Sequence, residues 1–285
     1  MLDVEMINKQ RAYTNLMKLL CNVIEASKGT VAGSDDRILD AEGLALKFVG
    51  HASAAYYLYR GIALPEIGAN FVDPSSVNVL GRAALETFLV FHHVFVASAS
   101  EEERDFRYMS WLLAGSLERQ TLPIQSPQGK EMLSTEAQLI PSLQANLRDN
   151  SCFKALRPGQ QKDVLEKGKW RPPWTKLGLA AGLSSTHAEA FYSYLCEHAH
   201  AGNLGIIQIR NAHNLQDQRA LCNATIGLLI ISIANMVKAY CEVFPNSQAF
   251  LQQDQDGTAL ARMWIEIGAT PIDNIPIDWR QEGSG

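Results

Sequence analysis

The sequence predicts an all-α fold, a multi-helix bundle built around one long apolar helix and containing no sheet. Nearly half of the 285 residues are hydrophobic (47%) and 19% are charged, which is enough apolar material for a large core. Apolar residues recur at helical spacing, and no strand-type alternation is long enough to form a sheet. The longest apolar run, 224–234, lies within a predicted helix Leu215–Val243 that we expect at the centre of the core.

Capping signals place the ends of the predicted helices. Asp35 and Asp36 supply an N-cap and an acidic first turn, Asp73 precedes a proline at the first helical turn, and Ser100 with Glu103 forms a capping box. Pro141 is expected to interrupt the predicted helix 130–150. Residues 65–73 are expected to form a loop. In order, the predicted helices are residues 5–28, 35–60, 74–93, 100–122, 130–150, 158–167, 173–181, 184–200, 215–243 and 247–268, followed by an extended tail, 271–279.

The most informative helix carries Arg82 and Glu86 on an otherwise apolar surface. At about 100° per residue, its polar positions fall on one stripe roughly 80° wide, which is narrower than the solvated face of a surface helix. The two charges are therefore expected to be buried and paired, because a lone buried charge is very costly. The pair can serve a ligand site, with Arg82 as donor and Glu86 as acceptor or base, or it can simply fix the register of two helices. The stripe consists of Ser75, Asn78, Arg82, Glu86, Leu89 and His93.

A second stripe lies on a later helix. Tyr192, Cys196 and His200 follow each other at intervals of four residues, so their side chains share one helix face. This stripe could face Arg82 and Glu86 across a cleft. In that arrangement His200 would act as an acid or base, and Tyr192 would act as a hydrogen-bond donor. The alternative is that His200 and Tyr192 each form hydrogen bonds with neighbouring groups at the C-terminal end of their own helix and take no part in a site.

The only strongly basic stretch is residues 154–176, a connector in which seven basic residues outnumber two acidic ones. Its tryptophans stand among cations, a pattern that suits weak contact with a nucleic-acid backbone and its bases. A loop pinned by its aromatic side chains while its cations stay hydrated explains the same pattern. The candidate contact residues are Lys167, Lys169, Trp170, Arg171 and Trp174.

Composition excludes several classes of function. A net charge of −5 and a pI of about 5.8 argue against a general nucleic-acid or membrane-surface binder. Five scattered cysteines indicate reduced side chains in a cytoplasmic protein, and no signal peptide is recognisable. No metal-ligand spacing, phosphate-binding loop or nucleophile elbow occurs, so neither metal nor cofactor is expected. We expect a single domain, 1–282, with 283–285 as an appended linker.

These features, taken in order, resemble a bacterial family of helical proteins that is defined as a domain of unknown function. Its members carry Arg-x-x-x-Glu on an apolar helix, a tryptophan segment, a short Leu-x-x-x-Ala helix, and Tyr-x-x-x-Ser-x-x-x-His. The resemblance spans residues 75–205, and Cys196 replaces the serine. It implies a fold and candidate site residues rather than a reaction. The matching residues are Arg82, Glu86, Trp170 or Trp174, Leu177, Ala181, Tyr192 and His200.

A looser resemblance is to HEPN-like helical proteins of bacterial conflict systems. Their ribonuclease members carry an arginine followed by a histidine with four to six residues between them, and no histidine follows an arginine at that spacing in this chain. The leading hypothesis is an interior Arg82, Glu86 and His200 cluster that binds a small ligand or a nucleic-acid end, in stress or phage defence. The alternatives are a non-enzymatic scaffold, homodimeric through apolar helices, and thirdly a HEPN-like ribonuclease. The sequence leaves open whether the protein is an enzyme.

Overall fold

The computed structural model describes residues 9–27, 36–200 and 202–271. Within them the chain is almost entirely helical, which confirms the predicted all-α class. The α-helices are α1 (Lys9–Ser27), α2 (Asp36–Arg60), α3 (Pro74–Phe91), α4 (Glu101–Gln120), α5 (Pro127–Asp149), α6 (Ser151–Lys154), α7 (Pro158–Lys167), α8 (Trp174–Ala180), α9 (Tyr192–Ala199), α10 (Asn203–Asn211), α11 (Leu215–Val243), α12 (Gln248–Gln253) and α13 (Gln255–Ala269). Residues 272–282 of the predicted single domain and the expected linker, 283–285, lie outside the described residues.

Helix α11 is the centre of the core, as the sequence predicts. It packs against α1, α3 and α13, and most of its side chains from Thr225 to Cys241 are buried. Long apolar helices of this kind bury their whole circumference, which explains why α11 shows little amphipathic asymmetry. The Tyr240 ring stacks on Phe244, with ring centroids 4.3 Å apart, and this contact closes the end of the helix.

Helices α2 and α3 form the most extensive pair in the structure. The buried face of α2 presents mainly alanines, Ala41, Ala45, Ala52 and Ala55, and short side chains let two helix axes approach closely. On α3, Gly81 meets Thr225 of α11, where an added Cβ would overlap the Thr225 methyl group. Small residues therefore bring α3 close to two other helices at once.

A two-stranded hairpin corrects the expectation of no sheet. Strand β1 (Ile62–Leu64) pairs antiparallel with β2 (Ala69–Phe71), with Ile62 opposite Phe71. Each strand has three residues, too few for an alternating pattern to be recognised in the sequence. The turn between them is a 3₁₀ helix, Pro65–Ile67, that ends at Gly68 with a φ of 61°, a conformation glycine adopts without strain.

The described chain divides into two compact units. One contains α1–α3 and α8–α13, and the other contains α4–α7. The second unit has a core of its own, made of Leu113, Leu147, Phe153 and Val164. The prediction of a single domain stays a prediction, because two compact units can belong to one domain or to two.

Several capping predictions are confirmed atom by atom. The Asp73 carboxylate accepts a hydrogen bond from the Ser76 amide at 3.2 Å, and the Ser100 hydroxyl accepts from the Glu103 amide at 3.2 Å. Pro141 does not interrupt α5. That helix is largely exposed, so water can satisfy the carbonyl that the proline leaves without a donor. The predicted last helix is divided at Asp254, whose side chain caps α13 through the Gly257 amide.

Two helices, Pro74–Val96 and Leu215–Val243, are long and apolar enough to cross a membrane by length and composition alone. Most of each helix is buried inside the protein. The core helix of a soluble protein passes the same test, so this is weak evidence for a membrane span. Between Phe91 and α4 the first of these helices ends in a π-helical turn, His92–Val96.

Candidate functional site

The two predicted polar stripes meet where α9 packs on α3. The Arg82 guanidinium lies at the centre of the contact. Its Nε donates to Glu86 Oε1 at 2.8 Å, its Nη2 donates to the Tyr192 hydroxyl at 3.1 Å, and its Nη1 lies 3.0 Å from His200 Nε2. Glu86 is one turn along the same helix, whereas Tyr192 and His200 arrive from more than 100 residues later in the chain.

Tyr192 links the two charged groups. Its hydroxyl accepts from Arg82 and donates to Glu86 Oε1 at 3.1 Å, so Arg82, Glu86 and Tyr192 form a closed ring of hydrogen bonds. Burial and the neighbouring Glu86 charge raise the pKa of Tyr192 to about 12, so the hydroxyl keeps its proton. Burial lowers the pKa of Arg82, but its hydrogen bond to Glu86 and the Glu86 charge outweigh burial and raise it.

The contact between Arg82 and His200 fixes the tautomer of the histidine. A guanidinium has five N–H donors and no acceptor, so His200 Nε2 must present its lone pair. The neutral ring then carries its proton on Nδ1. Within the described residues Arg82 uses three of its five N–H groups, one on each nitrogen, which leaves one N–H on Nη1 and one on Nη2.

The cluster is open to solvent, which corrects the prediction of an interior site. The Arg82 and Glu86 side chains are 20% and 25% exposed, and His200 is exposed. Three other residues of the predicted stripe are buried, since Asn78 accepts a hydrogen bond from Thr225 and Leu89 and His93 are enclosed, whereas Ser75 is half-buried. A helical wheel fixes the face on which residues lie, but it does not show where the neighbouring helix stops covering that face.

Cys196, the third residue of the second stripe, is a free, half-buried thiol. It lies near enough to influence the pKa of both Arg82 and Tyr192. The structure thus brings together all five candidate ligand-binding residues, Arg82, Glu86, Tyr192, Cys196 and His200. Among the described residues, no group of three or more His, Cys, Asp and Glu side chains is arranged to hold a metal ion.

The structure does not gather the candidate nucleic-acid contacts into one free basic patch. Lys167 and Lys169 both bind Asp163, at 2.8 and 2.7 Å, and their hydrogen bonds lower the pKa of that carboxyl to about 2. Arg171 donates to the Pro172 carbonyl at 3.1 Å.

The two tryptophans of this segment are half-buried. The Trp170 ring lies 6.1 Å from the ring of His93, and the Trp174 ring lies 6.4 Å from that of Tyr192. They belong to different compact units. Each ring therefore packs inside its own unit, as expected of aromatic side chains that pin a loop.

His198 is not among the candidate site residues and lies on the buried side of α9. It is 7% exposed, and neither ring nitrogen has a hydrogen-bond partner among the described residues. The ring meets Tyr194 edge to face, with centroids 4.9 Å apart. The sequence does contain a signal for the position of this side chain. His198 stands two residues before His200 and therefore lies on nearly the opposite face of the helix.

His198 makes stability sensitive to acid. Burial lowers its pKa and that of His187, so between their folded values and the ordinary value near 6.5 the unfolded chain binds more protons. Stability present at neutral pH is therefore expected to fall as the pH drops below about 6.5. His198→Phe, which keeps a ring against Tyr194, should reduce this loss in urea unfolding at pH 7 and pH 5. The same change at exposed His213 is the control, and equal pH dependence in both variants would refute the assignment.

The chain matches no protein-family model, no curated protein and no solved structure.

Proposed function

We propose that the Arg82 cluster binds the phosphate group of a small ligand or of a nucleic-acid end, and that His200 occupies the site until the ligand arrives. The observation that carries the proposal is the Arg82 guanidinium, which is 20% exposed, is held by Glu86 and Tyr192, and is covered at Nη1 by an exposed histidine.

A phosphate oxygen is a better acceptor for this guanidinium than an imidazole nitrogen. Hydrogen bonds between two charged groups are shorter and about twice as strong as those with a neutral partner, and Arg binds phosphate through two parallel donors. The phosphate would take the Nη1 and Nη2 N–H groups that Glu86 and Tyr192 leave available. His200, displaced from Nη1, can donate its Nδ1 N–H to the same anion.

Glu86 and Tyr192 act as positioning groups in this proposal. Glu86 fixes Nε and Tyr192 fixes Nη2, so the plane of the guanidinium is set before the ligand binds. Such preorganisation reduces the entropy that binding costs. The Glu86 charge opposes an anion, so the expected affinity is modest and decreases with added salt. The setting we propose is a bacterial cytoplasm, in stress or phage defence, on the strength of the family resemblance alone.

Titration calorimetry tests the proposal with inorganic phosphate, a nucleoside monophosphate, and an oligonucleotide with either a 5′-phosphate or a 5′-hydroxyl. Arg82→Gln should weaken binding of the phosphorylated probes about tenfold or more, because a hydrogen bond to a charged group contributes roughly 1.5–3 kcal/mol. The matched control is Arg107→Gln, since Arg107 forms a similar half-buried pair with Glu103 at four-residue spacing. No binding at millimolar phosphate, or equal binding by Arg82→Gln, would refute the proposal.

A second candidate function is RNA cleavage, favoured by the 3.0 Å contact between Arg82 and His200. The HEPN-like spacing is absent from the sequence, yet packing of α9 on α3 brings an arginine and a histidine together. In such a site the histidine would accept the proton of a ribose 2′-hydroxyl as its oxygen bonds to phosphorus. The bond from phosphorus to the 5′-oxygen of the next nucleotide would break, that oxygen would take a proton from water, and the arginine would stabilise the negative charge on the phosphate oxygens. Incubation with mixed RNA should then give products that disappear in His200→Gln. Intact RNA with the wild type would exclude this function.

The basic segment provides a separate control for both candidates. Changing Lys167, Lys169 and Arg171 together to Gln is expected to weaken any salt-sensitive binding of long nucleic acids. It should leave phosphate binding at Arg82 unchanged, because Lys167 and Lys169 pair with Asp163 and make no contact with the Arg82 cluster among the described residues.

A further inference from the structure

Helix α2 has a second face, opposite to its alanine face, that is exposed rather than packed against the other described helices. Along it four residues follow at intervals of four, three and four: Leu39, Gly43, Leu46 and Gly50. This spacing is that of a helix seam that packs against another helix. All four residues are exposed, and the two leucines are 46% and 55% exposed.

Contacts with the described residues do not explain the glycines of this seam. A Cβ added at Gly43 or at Gly50 would have no atom within 4 Å, and neither residue has the positive φ that favours glycine. A glycine inside a helix nevertheless destabilises the helix relative to alanine. Gly43 and Gly50 are seven positions apart on one face of α2. Their spacing indicates that a partner helix approaches the α2 backbone so closely that a side chain at either position would not fit.

We infer that this seam, Leu39 to Gly50, pairs α2 with α2 of a second copy of the chain in antiparallel orientation. With Leu39 placed over Gly50 of the second copy, Leu46 falls over Gly43 of that copy, and the two-fold axis repeats both contacts. Each leucine then enters the space above a glycine. A parallel pair would instead set leucine on leucine and glycine on glycine, which leaves gaps in alternate layers.

The charges beside the seam fit the same arrangement. Asp40 and Lys47 each follow a seam leucine, so they lie on one flank of α2. In the antiparallel pair this flank meets its own counterpart, and Asp40 of one copy lies beside Lys47 of the other, twice by symmetry. A second copy therefore matches this face both in shape and in charge. The inference is independent of the Arg82 site.

Light scattering after gel filtration, over a series of protein concentrations, tests the inference. The wild type should form a dimer, and Gly50→Leu should be monomeric at the same concentrations. The variant should still be folded by circular dichroism, because a Cβ at this position has no atom within 4 Å among the described residues. Gly159→Leu is the matched control, since Gly159 is an exposed helical glycine that also faces open space. It should remain dimeric.

A charge exchange tests the orientation. Asp40→Lys and Lys47→Asp alone should each weaken the dimer, and the double variant should restore it, because both pairs are rebuilt across the two-fold axis. If the two α2 helices were parallel, Asp40 of one copy would not lie beside Lys47 of the other, and the double variant would not restore the dimer. A wild type that is monomeric at every concentration, or a dimer that Gly50→Leu leaves intact, would overturn the inference, whatever else then covers the seam.

Discussion

Gly81→Ala is expected to destabilise the protein by about 1–3 kcal/mol, the range for overpacking a close-packed interior. The added methyl group would overlap the Thr225 methyl group, so α3 must move away from α11. Both helices are central to the larger unit, and the shift would loosen packing along their contact. The usual gain from replacing a helical glycine by alanine, up to about 1 kcal/mol, is too small to reverse the sign.

The partner residue provides the critical test of this prediction. Thr225→Ser removes only the overlapping methyl group and keeps the hydroxyl that donates to Asn78. Combined with Gly81→Ala it should recover most of the lost stability in urea unfolding, a coupling that a double-mutant cycle measures. Gly227→Ala, on α11 and facing open space, is the control and should be neutral or stabilising. Additive effects of the two substitutions would contradict the proposed overlap.

Arg82→Ala is expected to cost about 2 kcal/mol in the free energy of unfolding. The substitution removes the common partner of Glu86, Tyr192 and His200. A fully buried pair would lose about 3–5 kcal/mol. Because Glu86 is 25% exposed and His200 is exposed, water can replace part of the lost contacts, and the expected loss is smaller.

Arg107→Ala provides the comparison for this second prediction. Arg107 is 17% exposed, binds Glu103, and donates to the His93 carbonyl at 3.0 Å, so its loss should be of similar size. Thermal and urea unfolding of both variants measure the two effects. An unchanged melting temperature for Arg82→Ala would show that the cluster contributes nothing to stability. A destabilised Arg82→Ala, together with no phosphate binding by the wild type, would identify the cluster as a structural link between α3 and α9.

Local sequence signals predicted most of the helices and failed in identifiable places. The bounds of α7 and α11 agree with the sequence, because a proline at the first helical turn and an N-terminal asparagine cap act within one turn of the chain. Helix α10 was missed. Its exposed Leu204, Ile206 and Ile207 are spread around the helix, and its one buried residue is Gly205, so no apolar stripe marks it. A helix without a stripe leaves no periodic signal.

The sequence by itself determined which side chains share a helix face. It placed Arg82 with Glu86, and Tyr192 with Cys196 and His200, because the helical repeat is a local property of the backbone. Only the tertiary structure decided that these two faces meet, since the contact joins residues 118 positions apart and depends on how α9 packs on α3. It also decided that the cluster is open to solvent, because exposure is set by where the neighbouring helices end, and no spacing within one helix records that.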